Sequence, residues 1–365
     1  LLSVLRIGAT YLPLDPAAPA ARQHAILSQA APVLLVHDAT AAPPTWPGCA
    51  TIAFAALGDA SAGAPPARID PQQAAYTLFT SGSTGVPKGV DVSHRAVAHK
   101  IQALCAAYRM TADDRVVQFS SLAFDVSIEE IFTTLSAGAC LLLLERAAWP
   151  TLGAFSGLLD LQRATVLNLP ASFWREWVRA IGLGEAALPA RLRLVVTGSE
   201  TVPLAAVQTW RAVTGGRVAL MNAYGLTESV ITSVVHDVPA DARPDERDVP
   251  IGAPLPGTTA YVLDAHLQPV PPLCRGELYL GGSALASGYP GRPGQTAAAF
   301  LPDPFAGQPG ARMYRTGDLV RRDAQGALVY LGRSDRQIKV RGVRVDLAEV
   351  EALLLEQDGV REAAV

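Results

Sequence analysis

The richest chemical signal is Thr80-Ser81-Gly82-Ser83-Thr84-Gly85-Val86-Pro87-Lys88-Gly89, a glycine- and hydroxyl-rich run with a lysine near its end. Glycines let a backbone approach a phosphate closely. Consecutive N–H groups form an anion-binding nest, hydroxyls add donors, and a lysine supplies a point charge. No Gly-Lys-Ser/Thr follows at Walker-loop spacing. Alone, the run fits a flexible Gly/Ser turn equally well. A second segment is Asn222-Ala223-Tyr224-Gly225-Leu226-Thr227-Glu228. Its tyrosine can stack on a base and its glutamate can hold a hard cation such as Mg²⁺. A strand-end turn with an N-capping threonine has the same look. In Tyr314-Arg315-Thr316-Gly317-Asp318-Leu319, Asp318 can accept both hydroxyls of a ribose. The mixed-charge run Gly332–Gly342, on its own, reads as a solvated face.

These segments need a frame. Ala75–Phe79 suits a strand leading into the glycine loop. A helix is expected after Gly89, with Ser93 as N-cap and Val97, Ile101, Leu104, Cys105 and Tyr108 on one face. The loop is thus expected between a strand and a helix. Ala139–Leu144, Thr165–Asn168, Leu192–Val196 and Val218–Met221 are continuous apolar runs, which suit parallel strands buried on both faces. Loops at the carboxyl ends of such strands are where α/β sheets bind ligands. Beyond about Asp248 the texture changes to short strands: Ala260–Leu263, Glu277–Leu280, Leu319–Arg322 and Leu328–Leu331. The last two flank Asp323-Ala324-Gln325-Gly326, a hairpin signal. The expectation is an α/β body followed by an antiparallel section, with residues 38–70 as a surface connection.

The 365 residues allow two or three domains at a prior of roughly 150 each. Thirty basic residues against 33 acidic ones argue against a chain built to grip nucleic acid or anionic lipid. A hydrophobic share of 50% excludes a disordered chain. No segment reaches the ~18 apolar residues of a membrane span. Ile131–Leu144 reads as a core helix running into a buried strand. Cys49, Cys105, Cys140 and Cys274 form no CxxC pair and the histidines no HExxH, so neither a disulfide framework nor a zinc site is expected, and a cytoplasmic setting is. The start at Leu1, without a charged leader, reads as a piece of a longer protein with no signal peptide.

In this order the four segments resemble the adenylate-forming enzymes, most closely the adenylation domains of nonribosomal peptide synthetases. Leu5-Arg6-Ile7-Gly8-Ala9-Thr10-Tyr11-Leu12-Pro13-Leu14-Asp15, Phe124-Asp125-Val126-Ser127 and Gly276–Gly282 add matches, so the resemblance spans essentially the whole chain. Leu226 stands where proline is usual, and Ser287 interrupts the usual Ala-Arg-Gly-Tyr. The resemblance implies an α/β, acyl-CoA-synthetase-like fold. Residues 1–334 would be the large core, lacking its opening strands, and 335–365 the start of a small C-terminal α+β lid, with Asp335 at the hinge. It implies joining an amino acid to the α-phosphate of ATP with Mg²⁺. Transfer to the phosphopantetheine thiol of a peptidyl carrier domain would follow, in a synthetase that also holds a condensation domain and makes a secondary metabolite. Thr80, Ser81, Gly82, Ser83, Thr84, Gly85 and Lys88 would cradle phosphates. Asn222, Ala223 and Tyr224 would receive adenine, and Asp318 with Arg333 the ribose. Thr84, Lys88, Thr227 and Glu228 would be catalytic, with Glu228 on the metal; such chemistry is mainly charge stabilisation. An acyl- or aryl-CoA ligase and an inactive, truncated docking domain are the alternatives.

By the same resemblance Asp125 pairs with a substrate α-ammonium, which favours an α-amino acid over a plain acid. The side-chain pocket projects onto Val126, Glu129, Asn168, Val195, Thr197, Ala223, Ile231 and Thr232. A carboxylate among apolar neighbours is costly unless paired. Ornithine, lysine or arginine would pair Glu129; alternatively Glu129 turns away or bonds to Asn168.

Overall fold

The computed structural model describes residues 1–38, 46–57, 68–81, 87–145, 148–239, 249–335, 337–340, 343–355 and 360–365. The chain opens with α1 (Leu2–Arg6) and α2 (Ala20–Ala30), then the parallel pair β1 (Leu34–His37) and β2 (Ala50–Ala53). Part of the expected surface connection is therefore a strand. β3 (Ala74–Thr80) and β4 (Lys88–Ser93) pair antiparallel, with Thr80 opposite Lys88. Here the sequence expectation is corrected: the glycine loop joins two strands, and α3 (His94–Ala107) starts only after the second. Ser93 caps that helix as expected, its side chain accepting from Ala96 N at 3.3 Å.

The body is a seven-stranded sheet. It is built from β5 (Arg115–Gln118), β6 (Cys140–Leu143), β7 (Val166–Pro170), β8 (Leu194–Gly198), β9 (Ala219–Gly225), β10 (Thr232–Asp237) and β11 (Ala253–Pro254), in the order β11-β10-β9-β8-β7-β5-β6. The pairs from β6 to β9 are parallel, and β10 and β11 turn antiparallel. β6 lies at the edge with only Leu142 buried, so it is not the buried strand expected.

Helices α4 (Val126–Ser136), α5 (Leu152–Leu161), α6 (Ala171–Gly182) and α7 (Leu204–Thr214) alternate with the strands. One sheet face carries Leu167, Val195 and Leu220 against Phe155 of α5, Trp174 and Trp177 of α6 and Trp210 of α7. The other carries Val166, Leu194, Val196 and Met221 against Ile101 and Leu104 of α3. That is the two-sided burial which continuous apolar runs require.

The second sheet comprises β12 (Thr258–Leu263), β13 (Gly276–Gly282), β14 (Phe300–Pro302), β15 (Arg312–Arg322) and β16 (Leu328–Arg333), with α8 (Pro293–Ala299) before β14. β15 and β16 form the expected hairpin. A third apolar cluster joins the parts: Tyr76 and Val90 from the β3–β4 pair, Ile128 from α4, Tyr224 from β9, and Leu278, Tyr289 and Tyr314 from the second sheet and its loops. The chain ends in the hairpin β17 (Gln337–Val340) and β18 (Val343–Asp346), then α9 (Leu347–Leu355). Among the described residues no helix is long and apolar enough to cross a membrane.

Candidate functional site

The start of β4, just after the glycine run, meets the Glu228 loop. Lys88, first residue of β4, puts its Nζ 3.0 Å from Glu228 Oε1 and donates to the Tyr289 hydroxyl at 3.0 Å. That hydroxyl donates in turn to Glu228 Oε1 at 3.0 Å. Glu228 is fully buried, so its charge is tolerable because Lys88 and Tyr289 satisfy it. Burial, and then the Glu228 charge, push the Tyr289 phenol far above its ordinary range, so it stays a neutral donor. Sequence reasoning missed Tyr289. Gly82, Ser83, Thr84 and Gly85 lie outside the described residues, while Thr80 and Ser81 line a cavity of about 190 Å³ with Thr227 and Asp125.

β9 splits its residues by face. Asn222 donates to the Pro250 carbonyl at 2.9 Å, and Ala223 lines the opposite side. Tyr224 is buried and donates its hydroxyl to Asp318 Oδ2. Asp318 Oδ1 pairs with Arg333 Nη1 at 2.8 Å, and Arg333 grips Asp335 through Nε at 2.6 Å and Nη2 at 2.7 Å. Thus Tyr224, Asp318, Arg333 and Asp335, drawn from segments far apart in the sequence, form one chain of charge-assisted contacts. Lys88, Tyr289, Arg333 and Asp335 line a cleft of about 510 Å³.

The backbone after Glu228 is strained. Val230 and Ile231 sit at φ 59° and 63°, a region that β-branched residues avoid. The Ile231 carbonyl passes so close to Gly225 that a Cβ there would lie 1.7 Å from its oxygen. Only glycine fits, which explains the glycine in Tyr224-Gly225-Leu226.

Asp125 stands at the start of α4 without capping it and accepts from Thr227 Oγ1 at 2.9 Å. It lines a cavity of about 230 Å³ with Val126, Asn168, Ala223, Ile231 and Thr232, five of the projected pocket residues. Asp125 also lines the cavity holding Thr80, Ser81 and Thr227, one of four residues, with Phe124, Ser199 and Gly225, that the two spaces share. Glu130, unnoticed in the sequence, accepts from Phe119 N and Ser120 N at 3.2 Å and so fixes a loop on the cavity wall.

Val195 and Thr197 are a correction. In β8 alternate side chains face opposite ways, and a one-residue offset reverses the face. Val195 packs with Leu167, Leu220 and Trp177 on the far side of the sheet, and Thr197 shares its parity. On β8 and just beyond, Gly198 and Ser199 reach the cavity instead.

Glu129 stands behind the cavity wall. Its Oε1 accepts from Tyr108 OH at 2.7 Å and Asn168 Nδ2 at 2.9 Å, the bond to Asn168 foreseen as an alternative. Its Oε2 is buried and accepts no well-formed hydrogen bond. Burial raises its pKa to about 6, with the Asp125 charge adding to this, while Tyr108, Thr232 and Lys100 pull it down.

The profile of the AMP-binding enzyme family matches residues 1–290. The chain is 43% identical to the isonitrile lipopeptide synthase of Streptomyces coeruleorubidus, covering all of this chain and 24% of that protein. It is 41% identical to the phosphinothricin tripeptide synthetase PhsC of Streptomyces viridochromogenes, covering 32% of it. The chain therefore spans about a quarter to a third of the length of these relatives. Among solved structures, holo-PA1221, a nonribosomal peptide synthetase protein with adenylation and carrier domains bound to a vinylsulfonamide inhibitor, superposes at a TM-score of 0.87 with 30% identity, covering 99% of this chain and 61% of that one. The fused adenylation–carrier protein NpsA-ThdA from Klebsiella oxytoca gives 0.87 at 28% identity, covering 99% of this chain and 71% of that one. With the family profile over most of its length and an adenylation-domain fold throughout, the chain belongs to the AMP-binding enzymes.

Proposed function

We propose that the chain activates an α-amino acid as its aminoacyl-adenylate and passes it to the phosphopantetheine thiol of a carrier domain. The observation that carries this is Asp125, which lines both the Asn168–Thr232 cavity and the space lined by Thr80, Ser81 and Thr227, and whose carboxylate accepts from Thr227. An acid there suits a substrate ammonium, with the substrate carboxylate directed toward the phosphate-binding side. Asp318 and Arg333 suit the ribose, and Tyr224 the base. A single buried carboxylate, Glu228, suits Mg²⁺, which keeps much of its shell for water and phosphate oxygens. The metal would supply neutralisation of phosphate charge, and Lys88 would add to it. Relatives that are peptide synthetases, and a solved neighbour that holds adenylation and carrier domains, support a carrier partner; a condensation domain in the same polypeptide is part of the proposal.

Glu129, behind the wall formed by Asn168 and Thr232, biases the side chain toward a cation through its charge, with ornithine, lysine and arginine as candidates. Amino-acid-dependent ATP–pyrophosphate exchange by the full-length protein, screened over the common amino acids and ornithine, tests the reading. Exchange is expected with a narrow group of amino acids. Exchange with none, or with fatty and aryl acids instead, would overturn it.

A further inference from the structure

Lys100 is the one fully buried lysine among the described residues, and the nucleotide chemistry does not use it. It lies on α3 eight residues before Tyr108, so both project from one face of the helix, with the buried Leu104 between them. That face packs against α4, which carries Glu129. Tyr108 reaches Glu129 directly at 2.7 Å, whereas Lys100 Nζ donates to Ser233 Oγ at 2.9 Å and Thr258 Oγ1 at 3.4 Å. Both of those acceptors are neutral. The ammonium charge is met at longer range by Glu129. Asn168 bonds Glu129 from the cavity side, and Thr232, next to Ser233 in β10, lines the cavity as well.

We propose that Lys100 is a specificity-positioning residue, an internal cation that offsets the Glu129 charge felt through the cavity wall and so sets how strongly the cavity favours a cationic over a neutral side chain. This rests on the reading of the cavity as an amino-acid side-chain pocket. A charged Lys100 offsets the Glu129 field at the cavity, and an uncharged one leaves it unopposed. The charged and titratable groups acting on Glu129 are Asp125 from the start of α4, the neighbouring Glu130 of α4, whose own pKa burial and Glu129 push well up so that it stays protonated, Lys100 of α3 and Tyr108 just after α3; β10 and β12 turn the Ser233 and Thr258 hydroxyls to Lys100. Burial lowers the Lys100 pKa to about 7, against the pull of Glu129. As pH rises through about 7, Lys100 loses its proton while Glu129, at about 6, stays ionised, so preference for a cation climbs.

The test is the ratio of kcat/KM for ornithine over norvaline, and lysine over norleucine, in ATP–pyrophosphate exchange by the full-length protein. The ratio is followed from below about 6 to above about 7. Steps common to both substrates cancel in it. The parent ratio is expected to climb several-fold across neutrality, through KM rather than kcat. Lys100→Met should reach the upper value once Glu129 is ionised, at a pH above the parent's value of about 6 because no cation pulls that carboxyl down, and show no second climb, whereas Lys100→Arg, which keeps the charge, should stay at the lower value. Equal ratios in parent, Met and Arg forms would overturn the proposal. If either variant fails to fold, Ser233→Ala and Thr258→Val replace it. They remove the hydroxyls that seat the ammonium, and an unmoved ratio in both counts against Lys100. Glu129→Gln separates the failures. If it leaves the parent ratio unchanged, the pocket reading falls and this inference with it; if it lowers the ratio while every Lys100 change is silent, only the Lys100 role falls.

Discussion

Asp318 accepts from Tyr224 and pairs with Arg333, so its removal strips a buried acceptor from two donors at once. Asp318→Ala should weaken nucleotide binding by about 1–3 kcal/mol, the loss typical of hydrogen bonds to a charged group, measured by calorimetric titration. Unchanged affinity would remove Asp318 from the ribose. Glu228→Gln keeps shape and removes charge, so exchange should need more magnesium and fall sharply while the melting profile persists. A magnesium dependence equal to the parent's would exclude the metal role. Glu129 carries a stability signature as well. Its pKa is raised from 4.5 to about 6, so the native state holds the proton more tightly than the unfolded chain. Relative to Glu129→Gln, the parent's stability should be fullest below about 4.5 and fall by about 2 kcal/mol as pH rises through about 6, read from denaturant titrations. Glu228 and Asp318 were legible because each sits in a short ordered motif. Tyr289, Lys100 and Glu130 were not: each acts through a contact with a distant segment or loop that no spacing rule links to it.

Among the elements, the starts of β5, β7 and β8 are tied by one cluster. Asp114 accepts from Arg193 Nε at 2.7 Å, Arg193 Nη2 at 2.6 Å, Thr165 Oγ1 at 2.8 Å and Thr111 N at 2.9 Å. Burial pushes the Asp114 pKa up, but Arg193, Thr111 and Thr165 hold it net below the ordinary carboxylate value. Arg193→Ala leaves that buried charge unpaired, and since the arginine is partly exposed the cost should be about 2–3 kcal/mol, seen as a lower denaturant midpoint at unchanged slope. A midpoint within error of the parent's would show the cluster to be idle. Gly225→Ala should fail differently, because a Cβ collides with the Ile231 carbonyl and the cavity wall must move. The parallel strands were legible as apolar runs. The hairpin β3–β4 was not, because Lys88–Ser93 continues straight into a helix and its strand character comes from pairing with β3. Nor was the facing of β8, since an unbroken apolar run carries no alternation to mark its sides.

At the scale of the molecule, the apolar cluster of Tyr76, Ile128, Tyr224, Leu278 and Tyr289 joins the two sheets, so that Tyr224 of one reaches Asp318 of the other and the Glu228 loop reaches Lys88 and Tyr289. Such a preorganised arrangement should bind ATP in the native state only, so ATP should raise the melting temperature in step with its concentration. On the proposed reading, Asp125 makes this an amino-acid-activating site. The direct measurement is ATP–pyrophosphate exchange by the full-length protein with its best amino acid and with the des-amino acid of the same side chain, in the parent and in Asp125→Asn. That substitution keeps a hydrogen-bond acceptor for Thr227 and removes the charge. The parent should prefer the amino acid by roughly tenfold or more, about 1.4 kcal/mol, and the variant should lose most of that preference at unchanged ATP affinity. Equal exchange with the des-amino acid in the parent, or an undiminished preference in Asp125→Asn, would contradict the account.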